Sequence, residues 1–114
     1  MYLDINKKIY FSLIVMSDNI IKNKPYKITD YTYEQARKIG VKIEPSKYKN
    51  KKIDVYDKDN NYITSIGFKG MNDYPTYIEA KGREYADERR RLFYKRFNNI
   101  KKNSTLYYSS KLLW

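Results

Sequence analysis

The sequence of 114 residues contains no cysteine and no histidine. Without cysteine, the chain has no disulfide framework and no thiolate ligand for zinc or an iron–sulfur cluster. Without histidine, catalytic triads built on that residue are excluded as well. Acid–base chemistry would have to use carboxylates, lysines or tyrosines. We therefore predict no catalytic residues, no metal site and no cofactor.

Long hydrophobic runs are also lacking. The longest run, from Ile9 to Met16, is interrupted by Ser12. It is much shorter than the roughly 18 residues that a transmembrane helix needs, and no small-residue cleavage site follows it. The expected organisation is an N-terminal extension or extra strand over residues 1–16 and a single basic α+β domain over residues 17–114. We expect neither secretion nor membrane insertion.

Positive charge is in large excess. The 24 lysines and arginines outnumber 13 acidic residues, so the net charge is +11 at pH 7. A charge this large on a short chain predicts an acidic partner, such as nucleic acid, an anionic membrane surface or an acidic protein. The excess of Lys, Asn, Ile and Tyr is also typical of an AT-rich genome, which weakens the significance of any single Lys or Tyr.

The front half of the chain carries two local structure signals. A capping box at Thr32 and Gln35 predicts a short helix that ends at Gly40. Residues 52–56 and 62–66 both alternate between apolar and polar side chains, with turn-forming residues between them. This pattern predicts a β-hairpin.

The back half is expected to be helical. Asp73-Tyr74-Pro75 predicts the start of a short helix that ends near Gly82. A longer amphipathic helix should run from Arg83 to about Lys102. The predicted fold class is α+β: a β-hairpin or three-stranded antiparallel sheet packed against this long C-terminal helix and one or two short helices.

The long helix is the strongest functional signal, because no acidic residue follows Glu88. Arginines on a rigid helix can each contact a phosphate through two hydrogen bonds. An alternative is a solvated helix face on which Glu84 and Glu88 pair with Arg91. The phosphate-contacting residues predicted here are Arg89, Arg90, Arg91, Lys95, Arg96, Lys101 and Lys102.

A second basic segment, Ser46–Lys52, contains no acidic residue and has Tyr48 among its lysines. It is predicted to be a loop that adds phosphate contacts through Lys47, Lys49, Lys51 and Lys52. The alternative is an ordinary loop beside the hairpin.

The C-terminal residues are apolar and aromatic. They form either a partner-docking tail, through Tyr107, Tyr108, Leu113 and Trp114, or a plug that closes the hydrophobic core. The core plug is the favoured interpretation.

One short motif matches part of a nuclease site. Glu79-Ala80-Lys81, with Asp73 upstream, fits the ExK half of a PD-(D/E)xK nuclease, in which the acids hold Mg²⁺. In that fold the motif lies on a strand, whereas here it falls on a predicted helix. A metal-dependent nuclease is therefore only the third hypothesis.

Several motifs are similar, as a set, to one family. They are Tyr33-Glu34-Gln35-Ala36-Arg37, Lys52-Ile53-Asp54-Val55, Gly70-Met71-Asn72-Asp73-Tyr74, Tyr85-Ala86-Asp87-x-Arg89-Arg90 and Tyr107-Tyr108…Leu112-Leu113-Trp114. This set resembles short, largely uncharacterised proteins encoded by large and giant DNA viruses of eukaryotes. The resemblance covers roughly residues 17–114 and supports Met16 as the usual start. It implies a viral origin and no catalytic residue.

The leading hypothesis is a non-enzymatic, virus-encoded basic protein that binds nucleic acid through phosphate contacts, with DNA favoured over RNA. It would act in genome packaging, the virion core or the viral factory, and would lie in the virion or the host cytoplasm. Little sequence specificity is expected, because phosphate contacts carry none directly. The alternative is a minor capsid or assembly module whose basic face meets an acidic viral protein.

Overall fold

The computed structural model describes residues 25–114. These residues form, in chain order, α1 (Asp30–Ile39), β1 (Lys42–Pro45), β2 (Lys51–Tyr56), β3 (Tyr62–Phe68), α2 (Tyr74–Lys81), α3 (Arg83–Arg96) and α4 (Thr105–Leu113). The predicted α+β class is confirmed, with a three-stranded antiparallel sheet. The extension or strand predicted over residues 1–16 lies outside the described residues.

The sheet has the order β1-β2-β3, so β2 is its central strand. Ile53 and Val55 of β2 are fully buried, and Ile53 lies opposite Ile66 of β3. The predicted hairpin is confirmed as β2 and β3. Its turn is closed by the Asp57 carboxylate, which accepts hydrogen bonds from the backbone amides of Asp59 and Asn61, both at 2.9 Å.

The hydrophobic core lies between the sheet, α1 and α4. It is formed by Ile28, Ala36, Ile53, Val55, Ile66, Tyr108, Leu112 and Leu113. The helix that covers the sheet is therefore the nine-residue α4, and not the long helix that was predicted to do so. Its start is set by Ser104, whose hydroxyl accepts a hydrogen bond from the Tyr107 amide at 3.1 Å.

The first helix begins earlier than predicted. Thr29, not Thr32, is the N-cap, and its hydroxyl accepts a hydrogen bond from the Thr32 amide. Thr32 is buried instead, and its hydroxyl donates to the Leu112 carbonyl oxygen at 2.9 Å. The prediction of a capping box at Thr32 was wrong, because the hydrogen bond to Leu112 holds Thr32 inside the helix. The predicted end at Gly40 is confirmed, with a left-handed φ of 74°.

The long helix α3 ends at Arg96 rather than near Lys102. Phe97 leaves the helical conformation with φ −117° and ψ 72°. Ala86 is the one fully enclosed residue of α3, because this helix packs on α2 and not on the sheet. The predicted start of α2 is confirmed, since Asp73 caps it and Thr76 completes a capping box.

Candidate nucleic-acid interface

Aromatic contacts hold α3 in place. The Tyr74 hydroxyl, on α2, donates to the Asp87 carboxylate at 2.7 Å. The Phe93 ring stacks on Trp114, with ring centroids 4.7 Å apart and planes 9° from parallel. The Tyr94 hydroxyl donates to the Ser110 carbonyl oxygen at 3.0 Å. Both neighbouring helices therefore fix the orientation of the arginine-rich helix.

Two of the predicted arginines form ion pairs within the protein. Arg91 binds Glu88 through two hydrogen bonds, at 2.7 and 3.0 Å. Its hydrogen bonds hold the pKa of Glu88 below its ordinary value. Arg90 lies 3.8 Å from the centroid of the Tyr74 ring and 3.7 Å from the Asp87 carboxylate. The predicted alternative of internal pairing therefore applies to Arg91 through Glu88.

The other predicted basic residues of this region are exposed and have no acidic partner among the described residues. Within residues 25–114 the ion pairs are Arg37–Glu34, Lys52–Asp73, Arg90–Asp87 and Arg91–Glu88. No carboxylate of these residues lies within 4 Å of the remaining basic side chains of the prediction. On α3 these are Arg89, Lys95 and Arg96, and on the connection after it Lys101 and Lys102.

Arg89 and Arg96 border a groove of about 200 Å³ between α2, α3 and the end of α4. We call it the arginine groove; it is lined by Met71, Asn72, Tyr77, Arg89, Leu92, Phe93, Arg96, Phe97 and Trp114. Most aromatic rings of the arginine groove already contact other side chains of the protein. Arg89 lies 5.5 Å from the centroid of Tyr77, and Phe93 and Trp114 stack on each other.

The predicted lysine loop divides into two roles. Lys47 and Lys49 are exposed, and Lys51 lies 4.5 Å above the centre of the Phe68 ring. Lys52 is only 3% exposed, and its ammonium binds the Asp73 carboxylate at 2.8 Å and the Met71 carbonyl oxygen. The predicted phosphate contact from Lys52 is thus corrected: strand β2 begins at Lys51, and Lys52 points into the protein.

A larger groove of about 590 Å³ lies beside this loop. We call it the tyrosine groove; it is lined by Tyr48, Lys49, Asn50, Lys51, Tyr62, Thr64, Ser65, Phe68 and Thr105. Three of these side chains are large aromatics that remain half exposed: Tyr48 at 55%, Tyr62 at 50% and Phe68 at 57%. Reasoning from the sequence missed Tyr62 and Phe68, because hairpin alternation marks such residues only as strand formers.

The Asp54 carboxylate supports both sides of the tyrosine groove. It accepts hydrogen bonds from the Ser46 hydroxyl, the Lys47 amide at 3.1 Å and the Ser65 hydroxyl at 2.6 Å. Burial alone raises the pKa of Asp54, but these hydrogen bonds together hold that pKa below its ordinary value. Asp54 is therefore ionised at neutral pH and fixes the loop against β3.

The predicted docking residues at the C-terminus are mostly structural. Tyr108 and Leu113 are buried in the hydrophobic core, and Leu113 is only 2% exposed. The partner-docking role is therefore corrected for these two residues, because the core encloses them. Tyr107 and Trp114 are half-buried and pack against the same core.

The two acidic residues of the predicted nuclease motif differ in their surroundings. Asp73 is buried, and its carboxylate accepts hydrogen bonds from Tyr26, Lys52 and the Thr76 amide. Glu79 is exposed on α2. Across residues 25–114, no group of three or more acidic side chains is placed to hold a metal ion.

The fold and the surface of the described residues define a small α+β protein in which basic side chains line the arginine groove and the tyrosine groove. No family model, curated protein or solved structure matches the chain. Among the helices of residues 25–114, none has the length and apolar character needed to cross a bilayer.

Proposed function

We propose that this is a non-enzymatic protein that binds nucleic acid mainly through backbone phosphates. The observation that carries the proposal is the set of exposed basic side chains on α3 apart from Arg90 and Arg91, on residues 97–104 and on the loop before β2. No acidic side chain of residues 25–114 is within ion-pair distance of them. The positive charge of a Lys or Arg without such an ion pair is available to bind an external polyanion.

The affinity of such a protein should depend steeply on salt. Each phosphate that a Lys or Arg neutralises releases counterions from the nucleic acid, which gives a log–log slope of about −0.9 per contact on duplex DNA. Phosphate contacts read no bases, so little sequence preference is expected.

The test is fluorescence anisotropy with random duplex and random single-stranded DNA over a salt series. The variant Arg89→Ala/Lys95→Ala/Arg96→Ala removes three charges of α3 that form no ion pair within residues 25–114. Its affinity should fall about ten-fold or more, and its salt slope should become shallower by about 2 to 3.

The matched control is Arg37→Ala/Lys38→Ala/Lys58→Ala, which removes the same charge from α1 and the hairpin turn. It should lose several-fold less affinity than the α3 variant. Equal losses for the two variants would argue against a defined surface. No binding of the folded wild-type protein to either DNA at low salt would contradict the proposal.

The biological setting follows from the resemblance to proteins of large DNA viruses. It supports a role on the viral genome, in packaging, in the virion core or in the viral factory. DNA is then the expected ligand, and the virion or the host cytoplasm the expected location.

The arginine groove supports a second candidate, a capsid or assembly module. Met71 and Leu92 are exposed apolar side chains beside Arg89 and Arg96, and Trp114 lies with them. An acidic protein segment with an apolar anchor would complement this surface. Binding to an acidic viral protein that persists at high salt, together with no binding to DNA, would favour this candidate.

A further inference from the structure

We infer that the tyrosine groove binds unpaired bases, so that the preferred ligand is single-stranded nucleic acid. The inference rests on the proposed function and adds the class of ligand. The groove combines exposed aromatic rings with lysines, and this is the combination that single strands require.

The rings of the groove are only partly covered by the protein. Tyr48, Tyr62 and Phe68 are each half exposed or more. Tyr48 and Tyr62 are 6.3 Å apart, with their planes at 57°, so they do not cover each other by parallel stacking. In a duplex each base face is stacked on a neighbouring base, so it is not available to stack on the rings of the groove. In a single strand the base faces are free.

The spacing of the rings fits several nucleotides rather than one. Tyr62 and Phe68 stand at the two ends of β3. At about 3.3 Å per strand residue, their backbones lie roughly 20 Å apart. Because their backbones are this far apart, a nucleic-acid chain lying along the strand fits the two residues better than a single nucleotide does.

Lysines accompany the rings. Lys51 lies opposite Phe68 across the strand pair, with its ammonium 4.5 Å from the ring centre. Lys49 is exposed on the loop that carries Tyr48. A base that stacks on Tyr48 or Phe68 therefore brings its own phosphate close to a lysine.

The groove is held in shape before any ligand binds. The Tyr62 hydroxyl donates to Ser65 at 2.7 Å, since the Ser65 hydroxyl itself donates to Asp54. On the other side, the Tyr48 amide donates to the Ser46 hydroxyl, which also binds Asp54. One carboxylate thus anchors the Tyr62 ring and the backbone at Tyr48, which lowers the entropy lost on binding.

The experiment compares three ligands of equal length: a thymidine single strand, a random duplex and an abasic single strand that keeps its phosphates but lacks bases. Wild-type protein should bind the thymidine strand several-fold more tightly than either of the others. Tyr48→Ala and Phe68→Ala should each weaken binding of the thymidine strand about five-fold or more. Their binding to the duplex and the abasic strand should be unchanged.

The matched control is Tyr33→Ala, which removes a tyrosine on α1 that is half exposed and lies outside the groove. It should bind all three ligands as the wild type does. If an alanine variant fails to fold, Tyr48→Leu and Phe68→Leu retain apolar bulk without a ring face, and they should show the same selective loss.

The outcomes separate the two proposals. Equal binding of all three ligands, unchanged by the groove variants, would overturn the single-strand inference and leave phosphate binding intact. Absence of binding to every ligand at low salt would overturn both. Ultraviolet crosslinks from a bromouracil strand to Tyr48, Tyr62 or Phe68 would support the inference, and crosslinks confined to other residues would overturn it.

Discussion

At the scale of single residues, position in the fold decides what a lysine does. Lys51 and Lys52 are neighbours in the same basic segment, yet Lys51 lines the tyrosine groove and Lys52 is buried. Lys52 holds the cap of α2 by binding Asp73, and the Tyr26 hydroxyl donates to the same carboxylate oxygen at 2.8 Å. This buried pair links the central strand, the α2 helix and the segment before α1.

Lys52→Met tests this pair. The substitution leaves the Asp73 carboxylate buried without its cation, so the free energy of unfolding should fall by about 3–5 kcal/mol. Urea denaturation at neutral pH measures the loss. The double variant Lys52→Met/Asp73→Asn should recover part of it, because no buried charge remains and Asn still caps the helix. A single variant as stable as the wild type would contradict the structural role.

Asp54 predicts an effect of pH. Its pKa in the native protein is lower than in the unfolded chain, so its ionised form stabilises the fold above about pH 4. This contribution is lost as the pH falls through the native pKa, because the unfolded state takes up the proton first. Asp54→Asn should lose about 1–3 kcal/mol at pH 7 by weakening these hydrogen bonds, and its stability should depend less on pH below 4.

Urea midpoints at pH 7 and pH 3 measure this difference. Glu88→Gln is the control, since that carboxylate is exposed and pairs only with Arg91 within the described part of the chain. Its midpoint at pH 7 should stay near that of the wild type. The same loss of stability for Asp54→Asn at both pH values would show that ionisation of Asp54 does not matter.

At the scale of elements, the longest helix, α3, is not the helix that covers the sheet, which is α4. The apolar positions of α3 suggest contact with the sheet, but aromatic residues of α2 and Trp114 take up that contact instead. The short α4 covers the sheet because Tyr108, Leu112 and Leu113 enter the core. Close approach of α4 to β3 occurs at Gly67.

Gly67→Ala should disturb this approach. Gly67 has a φ of 75°, and a Cβ atom there would lie 2.9 Å from side-chain atoms of Leu113 and of Lys52. Backbone strain and overpacking together should cost about 2–4 kcal/mol of unfolding free energy. Thermal and urea denaturation measure this loss.

Gly70→Ala provides the matched control. Gly70 also has a positive φ, of 91°, but apart from its chain neighbours no atom of the described residues lies within 4 Å of the position of its Cβ. It should lose only the backbone contribution of about 1–2 kcal/mol. Equal losses for the two variants would mean that the contact between α4 and β3 tolerates a methyl group.

At the scale of the whole molecule, charge is unevenly distributed along the chain. No acidic residue follows Glu88, and Asp87 and Glu88 bind Tyr74, Arg90 and Arg91. Two short stretches of chain connect the grooves. Phe68 lines the tyrosine groove and Met71 the arginine groove, while Lys101 and Lys102 precede Thr105, which also lines the tyrosine groove. We therefore expect a single strand that binds the tyrosine groove to extend toward Lys101 and Lys102.

Local signals in the sequence determined much of this protein. Turn-forming residues between two alternating stretches predicted the hairpin. Gly40 predicted the end of α1, and Asp73-Tyr74-Pro75 predicted the start of α2. Each of these features depends on residues close together in the chain. The charge of +11 and the absence of cysteine and histidine likewise follow from composition alone.

Only the tertiary structure decided the rest, because it depends on residues far apart in the chain. Thr32 lies inside α1 since its hydroxyl binds Leu112, and Lys52 is buried since Asp73 lies beside the central strand. Tyr48 and Tyr62 share a groove because strand pairing and the Asp54 hydrogen bonds bring the loop to β3. Composition predicted an acidic partner, and the packing of the sheet produced the aromatic surface on which we place unpaired bases.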